Sequence, residues 1–309
     1  MKICITGGSG FLGGHLVDRC ISEGHEVYIF DNLSRSTQHN SRAVLIKGDM
    51  TIKEDVEKIP PVDVIIHTAA ICGTTTAVMK VAEVLADFNG TQNLTRHAIK
   101  IGVKKFVYFS SSEIYGDSVL QVHEFDYIKC WNAHEPRAAY TYSKLSSESL
   151  VNTLPIATVI IRPFNIYGPR QIGFGVIRNF IESALRKKPI EVYNSGNEIR
   201  AMCHVDDFIE GVYRAATYPL KEQHAVFNIG NPSSATTIVH LANLIKKVTK
   251  SESSIVHKTV TATDKIGVTP CIDKAKKELN FEPKIGLEEG IHSLIPWYTE
   301  YIKTVKESK

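Results

Sequence analysis

The sequence has no C-x-x-C pair: its six cysteines, Cys4, Cys20, Cys72, Cys130, Cys203 and Cys271, are scattered. That spacing argues against a zinc site, so no metal is expected, and in a chain of 309 residues it implies no disulfide framework. Charge of neither sign is in excess. A formal net charge of +3 gives no reason to expect nucleic acid or an anionic membrane as a partner. No apolar run reaches the roughly 20 residues of a membrane span. The chain opens on a strand pattern, Ile3 to Thr6, where a basic and then apolar leader would otherwise stand. Internal repeats and low-complexity linkers are also lacking. The expectation is a reduced, cytoplasmic protein whose 43% hydrophobic and 22% charged residues suffice for a sizeable core.

What the sequence does have is alternation. Lys2–Thr6, Glu26–Phe30, Val44–Ile46, Val62–His67, Lys105–Phe109 and Ala157–Ile161 are short, apolar and rich in β-branched residues. Helical periodicity separates them, over Phe11–Glu23, Val78–Ile101 and Ala139–Asn152. Strands buried on both faces and alternating with helices predict an α/β fold with a doubly wound parallel sheet of the Rossmann type. After Arg162 the pattern coarsens, with Pro163, Gly168, Pro169, Gly173 and Gly175 breaking the chain. Helices are predicted over Val176–Lys187, Asp206–Ala216, Thr236–Thr249, Asp273–Leu279 and Leu287–Val305, with strands at Ile190–Tyr193 and Ala225–Ile229. The expected organisation is a Rossmann domain over 1–165, to which 201–229 returns, and a smaller α/β lobe from 166–200 and 230–309.

Between the first strand and first helix runs Thr6-Gly7-Gly8-Ser9-Gly10-Phe11-Leu12-Gly13. Glycine at 7 permits a tight turn, at 10 a close approach of backbone to a pyrophosphate, and at 13 close packing of helix on strand. The helix start then offers free N–H groups, those of Phe11 and Leu12 among them, and a partial positive charge to phosphates. Asp31, 18 residues beyond Gly13 at the end of the second strand, can accept hydrogen bonds from an adenosine ribose and would repel a 2′-phosphate. NAD is therefore expected over NADP, with Asn32 adjoining; Arg35 reads as a solvated loop cation.

Tyr140-Thr141-Tyr142-Ser143-Lys144 puts a tyrosine and a lysine four apart on one helix face. A tyrosine with its ordinary pKa of ~10 is too weakly ionised to act as a base at neutral pH. A lysine ammonium and an oxidised nicotinamide both favour phenolate, and a lowering by ~3 units needs roughly 4 kcal/mol. Tyr142 would face elsewhere. A second cluster, Ser110-Ser111-Ser112-Glu113-Ile114-Tyr115-Gly116, follows the strand at Lys105–Phe109. Carboxyl ends of parallel strands line the ligand crevice, where hydroxyls can donate to a sugar oxygen or relay its proton, or simply cap a helix.

Together these residues resemble the extended short-chain dehydrogenase/reductase family, especially its nucleotide-sugar epimerases, dehydratases and decarboxylases. The similarity runs nearly end to end and includes Gly48-Asp49-Met50, His67-Thr68-Ala69-Ala70, Arg162-Pro163-Phe164-Asn165-Ile166-Tyr167-Gly168-Pro169-Arg170, Ser195-Gly196-Asn197-Glu198-Ile199-Arg200 and His204-Val205-Asp206-Asp207. The resemblance implies that Asp49 and Met50 flank the adenine, that Ala69, Ala70 and Ser110 run beside the cofactor, and that Pro163 lies near the nicotinamide. It implies Ser111 as catalytic hydroxyl, Tyr140 as base and Lys144 as stabiliser of its phenolate. Ser112, Asn165 and Arg200 become substrate-binding, the last two at the diphosphate of a nucleotide sugar. A homodimer through the helices at 78–101 and 139–152 is implied as well.

The sequence departs from the family in three stretches. Asp87 stands before Gly90-Thr91 where asparagine is usual, Val268 stands where relatives commonly carry a substrate arginine with Lys265 nearby, and 117–139 follows no family pattern. Ser111-Ser112-Glu113 resembles the triplet by which dehydratases and decarboxylases gain a carboxyl group. The absent arginine argues against decarboxylation, since a C5 carboxylate needs cationic partners. The reading ranked first is a 4-epimerase working through a transient 4-keto sugar. A 4,6-dehydratase or uronate decarboxylase using Glu113 follows. A non-catalytic NAD-binding redox sensor would need only the glycine turn and Asp31, so Ser111, Tyr140 and Lys144 together argue for an enzyme.

Overall fold

In the computed structural model the described residues are 1–36, 40–71, 80–116, 121–135, 138–259 and 267–307. Cys72, Lys265 and the first residues of the helix expected from Val78 lie outside them. The central element is a parallel sheet of seven strands: β1 (Lys2–Thr6), β2 (Glu26–Asp31), β3 (Val44–Lys47), β4 (Val64–His67), β5 (Lys105–Phe109), β6 (Ala157–Pro163) and β7 (His224–Ile229). The order is β7-β6-β5-β4-β1-β2-β3. β1 pairs with β2 (Thr6 opposite Phe30) and with β4 (Thr6 opposite His67), so the winding reverses there and a crevice opens at the carboxyl ends.

Alternation along the strands feeds two cores. Ile3 and Ile5 pack with Leu16 and Val17 of α1 (Phe11–Ser22) and with Phe208 and Val212 of α5 (Val205–Thr217). Cys4, Ile65 and Phe106 point the other way, onto Leu94 and Ala98 of α2 (Val81–Lys100) and Val151 of α3 (Ala138–Val151). Each large aliphatic side chain so buried contributes about 1.5–3 kcal/mol, which makes both faces of the sheet apolar by necessity.

A third core joins α4 (Val176–Leu185), α6 (Ile238–Thr249) and α8 (Leu287–Glu307) through Ile181, Leu241, Ile245, Leu294 and Tyr298. Within the stretch 230–309, Ile272, Phe281 and the α7 (Asp273–Leu279) residues Ala275 and Leu279 pack into the first core, against β7. Amphipathic periodicity reveals that a helix has a buried face but not which core receives it.

Short strand pairs were also not foreseen: Gln121–Val122 with Thr269–Pro270, Ile166–Tyr167 with Cys203–His204, and Ile199–Ala201 with Ala235–Thr237. Two or three residues are too few to carry a period. Among the described residues no helix is long and apolar enough to cross a membrane.

Candidate active site

At the mouth of β1 the backbone makes the first half of the site. Gly7 has φ +70°, and a Cβ there would come within 2.9 Å of the Ala69 backbone. A Cβ at Gly13 would fall 2.1 Å from the Gly7 carbonyl oxygen, so α1 reaches the turn only without a side chain. At Gly10 the sole neighbour within 4 Å is that same oxygen at 3.2 Å, which leaves the outer side of the turn open. Gly10 begins α1, no side chain caps it, and the first turn holds no carboxylate. The N–H groups of Phe11, Leu12 and Gly13 and the positive end of the dipole are thus left for an external anion.

Asp31 ties this turn to the next strand: its Oδ2 accepts from Ser9 N–H at 3.0 Å and its Oδ1 from Leu33 N–H at 2.8 Å. Asn32 donates to Asp49 Oδ2 at 3.3 Å, and Asp49 accepts from both the N–H and hydroxyl of Thr51. Burial would raise the Asp49 pKa, but the Thr51 hydrogen bonds outweigh it and hold the carboxyl below its ordinary range. Met50 packs against Gly90, where a Cβ would lie 2.5 Å from its side chain. Ala69 N–H donates to Thr6 Oγ1 at 3.3 Å. This cradle fits a dinucleotide: open N–H groups for a diphosphate, a half-buried carboxylate one strand away for a ribose, and small residues between.

The second half lies at the ends of β4, β5 and β6. Lys144, 5% exposed, donates to the Phe109 carbonyl at 2.8 Å, with its Nζ 5.7 Å from the centre of the Tyr140 ring. Tyr142 is turned away and donates to Trp131 O at 2.6 Å. Ser111 begins a 3₁₀ turn, Ser112–Tyr115, and its Oγ accepts from Glu113 N–H at 3.2 Å, which leaves its own proton to give. Ser110 is buried and its Oγ has no hydrogen-bond partner among the described residues. A small pocket is lined by Ser112, Glu113, Gly116, Asn165, Arg200, Gly267 and Val268, which brings Ser112, Asn165 and Arg200 together although 88 positions separate Ser112 from Arg200, while Ser111 is not among its lining residues. Asn165 takes φ 44°, a left-handed conformation that asparagine tolerates, and donates to Ala201 O at 3.3 Å. Arg200 pairs with Glu198, and Val268 is 7% exposed.

Several residues were missed as contributors. His67 sits between Thr6 Oγ1 (2.8 Å) and Thr91 Oγ1 (3.2 Å), and burial pushes its pKa down to about 3, so it stays neutral. Asp87 accepts from Ile71 N–H at 2.8 Å; burial raises its pKa against the opposing Lys144 charge. Gly267 has φ +97°, and a Cβ there would meet Ile199 O at 1.9 Å. His67 and Asp87 stood in recognisable motifs, but only packing shows what each holds.

Known proteins share the fold and its length. A crystal structure of UDP-glucose 4-epimerase with UDP-glucose from Thermotoga maritima superposes with a TM-score of 0.89 at 29% identity, covering 98% of this chain and 100% of that one. UDP-glucuronic acid 4-epimerase from Bacillus cereus, in complex with UDP-glucuronic acid and NAD, gives 0.86 at 25% identity over 97% and 100%. Among curated proteins, UDP-glucuronic acid decarboxylase 6 of Arabidopsis thaliana is 34% identical over 94% of this chain and 87% of its own length. UDP-N-acetyl-alpha-D-glucosaminuronate decarboxylase of Bacillus cytotoxicus is 31% identical over 97% and 98%. The family model for the NAD dependent epimerase/dehydratase family matches residues 3–230, from the first residue of the inner β1 core to the residue after β7. A chain alike over the whole of the sheet that builds both halves of the site is therefore a member of the NAD dependent epimerase/dehydratase family, an enzyme family of extended short-chain dehydrogenase/reductase type whose cofactor is NAD.

Proposed function

We propose that this chain is an NAD-dependent nucleotide-sugar 4-epimerase with Tyr140 as its base. The observation that carries the choice is Val268. An apolar, nearly buried side chain shares its pocket with Glu113, and the pocket's cation among the described residues, Arg200, is already paired with Glu198. A sugar carboxylate at C5 would meet apolar surface and a like charge there, whereas a neutral hexose would not.

The cofactor, when bound, supplies an acceptor and donor of hydride for the sugar's C4. Tyr140 takes the proton of the 4-hydroxyl as the carbon is oxidised and returns it when the 4-keto sugar is reduced on its other face. Lys144, fixed by Phe109 O, favours the phenolate by its charge, and Ser111 donates to the reacting oxygen. Asn165 and Arg200 hold the diphosphate. Asp31 takes the adenosine ribose, Phe11, Leu12 and Gly13 the cofactor's phosphates, and Pro163, Ala69, Ala70 and Ser110 line its path.

Decarboxylation is the second reading, favoured by Ser111-Ser112-Glu113 and by relatives that decarboxylate UDP-glucuronic acid. The test incubates the purified protein and NAD with UDP-glucose, UDP-glucuronic acid and UDP-N-acetylglucosamine, read by mass spectrometry and NMR. Unchanged mass with inverted C4 supports epimerisation; loss of carbon dioxide or of water replaces it by decarboxylase or dehydratase. A homodimer through α2 and α3 belongs to the same proposal: Val81 and Leu85 of α2 are 42% and 46% exposed. Light scattering at the monomer mass would remove it. Residence in a reducing cytoplasm fits the free thiols of Cys4, Cys20, Cys130, Cys203 and Cys271. The division into 1–165 with 201–229, against 166–200 with 230–309, belongs to the same proposal.

A further inference from the structure

A buried polar cluster that this chemistry does not use lies under the Tyr140 helix. Arg162, 4% exposed near the end of β6, donates through Nε to Glu148 Oε1 at 3.0 Å and through Nη2 to Oε2 at 2.7 Å. Its Nη1 donates to the Tyr115 hydroxyl and to the Glu124 carbonyl, each at 2.8 Å. The Tyr115 hydroxyl donates to Asn228 Oδ1 at 2.7 Å, and Asn228 donates from its side chain to Val122 O at 3.1 Å and from its backbone to Glu124 Oε1 at 2.9 Å. Removing five polar side chains from water is costly unless their hydrogen bonds are made, and here the guanidinium satisfies three segments at once.

Each of those segments carries part of the site. Glu148 lies on α3 two turns beyond Tyr140 and one beyond Lys144. Tyr115 closes the turn that holds Ser112 and Glu113. Val122 pairs with Pro270, two residues after Val268. We infer that Arg162 is a positioning residue for the proton transfer: it holds the Tyr140–Lys144 helix in register with the Ser111–Glu113 turn and the pocket wall, and its pairing with Glu148 cancels a positive charge that would otherwise act on the Tyr140 phenol. This rests on Tyr140 being the base.

Residues 140, 144 and 148 share a helix face, with about 12 Å along the axis between the first and last. Other groups face the pair: Lys144 on the same helix, Tyr108 of β5 through Ser147, and Asp87 of α2 opposite Lys144. Neutral His67 of β4 lies beyond, and Glu124 with Lys274 stands on the far side. Glutamine at 148 removes the carboxylate paired with Arg162, and although the Glu124 carboxyl also acts on that guanidinium, the net positive charge beneath the helix rises and favours the phenolate.

The experiment is an ultraviolet difference titration of the NAD-loaded protein, with Tyr140→Phe as reference to isolate one phenol. Glu148→Gln moves that midpoint down by roughly half to one pH unit. Arg162→Met/Glu148→Gln, which removes both charges, returns it to the parent value while kcat on the sugar found by the panel above stays at least about tenfold lower at little-changed KM. A midpoint unmoved in Glu148→Gln, or parent kcat in the double variant, overturns the inference. Should Glu148→Gln not fold, the kcat of the neutral double variant decides alone. Failure of the base assignment is distinct: Tyr140→Phe would then retain turnover whatever the midpoint does.

Discussion

The glycine cradle at the mouth of β1 and the pocket around Val268 are built by opposite means. The cradle is made of backbone and of absent side chains: Gly7, Gly10 and Gly13 lie within seven residues, and two of the three would collide with neighbouring backbone if they carried a Cβ. The pocket is made of side chains brought from four separate stretches, 112–116, 165, 200 and 267–268, held by short strand pairs and by ion pairs such as that of Arg200 with Glu198. A backbone device is nearly all-or-none, because one added atom cannot be accommodated. A side-chain device is graded and can change its ligand by one substitution.

That contrast can be broken or sharpened by variants on either side. The largest effect is expected at Tyr140→Phe, where loss of the proton acceptor lowers kcat by about 10³-fold while NAD affinity by calorimetry stays near that of the parent. Activity close to the parent's would remove the base assignment. Next, Gly13→Ala sets a Cβ 2.1 Å from the Gly7 oxygen and should cost about 3 kcal/mol of stability in urea unfolding, with loss of NAD binding. A variant of parent stability would mean that the cradle is softer than its geometry implies.

The third concerns His67, which links β1 and β4 beneath the cradle. Its folded pKa of about 3 lies below the unfolded 6.5, so the unfolded chain binds the proton and the folded one does not. The stability due to its neutral form is complete above pH 6.5 and is lost as pH falls towards 3, at about 1.4 kcal/mol per unit. Between pH 6.5 and 5 this amounts to about 2 kcal/mol, and His67→Gln should flatten the acid limb of a stability–pH curve by that much. An identical limb in both proteins would show that His67 is not kept neutral.

Asp31→Ala should weaken NAD about tenfold and improve the relative use of NADP, since it removes the ribose acceptor and the charge that repels a 2′-phosphate. Unchanged preference between the two cofactors would move ribose recognition elsewhere. The smallest change is expected on the graded side. Val268→Arg should lower KM for UDP-glucuronic acid relative to UDP-glucose several-fold, about 1 kcal/mol, by adding a second cation to a pocket whose Arg200 is already paired with Glu198. An unaltered ratio would show that position 268 does not face the sugar's C5 substituent.

The cradle was legible because its determinants are local. Gly7 to Gly13 and Asp31 sit on consecutive elements, and the turn between them has one geometry open to it. Tyr140 and Lys144 were legible for the same reason, being one helical turn apart. Ser110 and Ser111 were less so. Both follow β5, and only the backbone angles decide that Ser111 caps the turn while the Ser110 hydroxyl is buried. Arg162 was visible as part of a motif, but its three partners lie 14, 38 and 47 positions away.

The amino-acid order alone determined that strands buried on both faces would stack into a parallel sheet and that a tight glycine turn would open its first crossover, because periodicity and backbone sterics act between near neighbours. Which core received α7, which carboxylate met Arg162, and how Glu113, Asn165, Arg200 and Val268 came to share one pocket were decided only in the folded chain. Those outcomes depend on closing long loops, where the energy of the final contact, and no local preference, selects the partner.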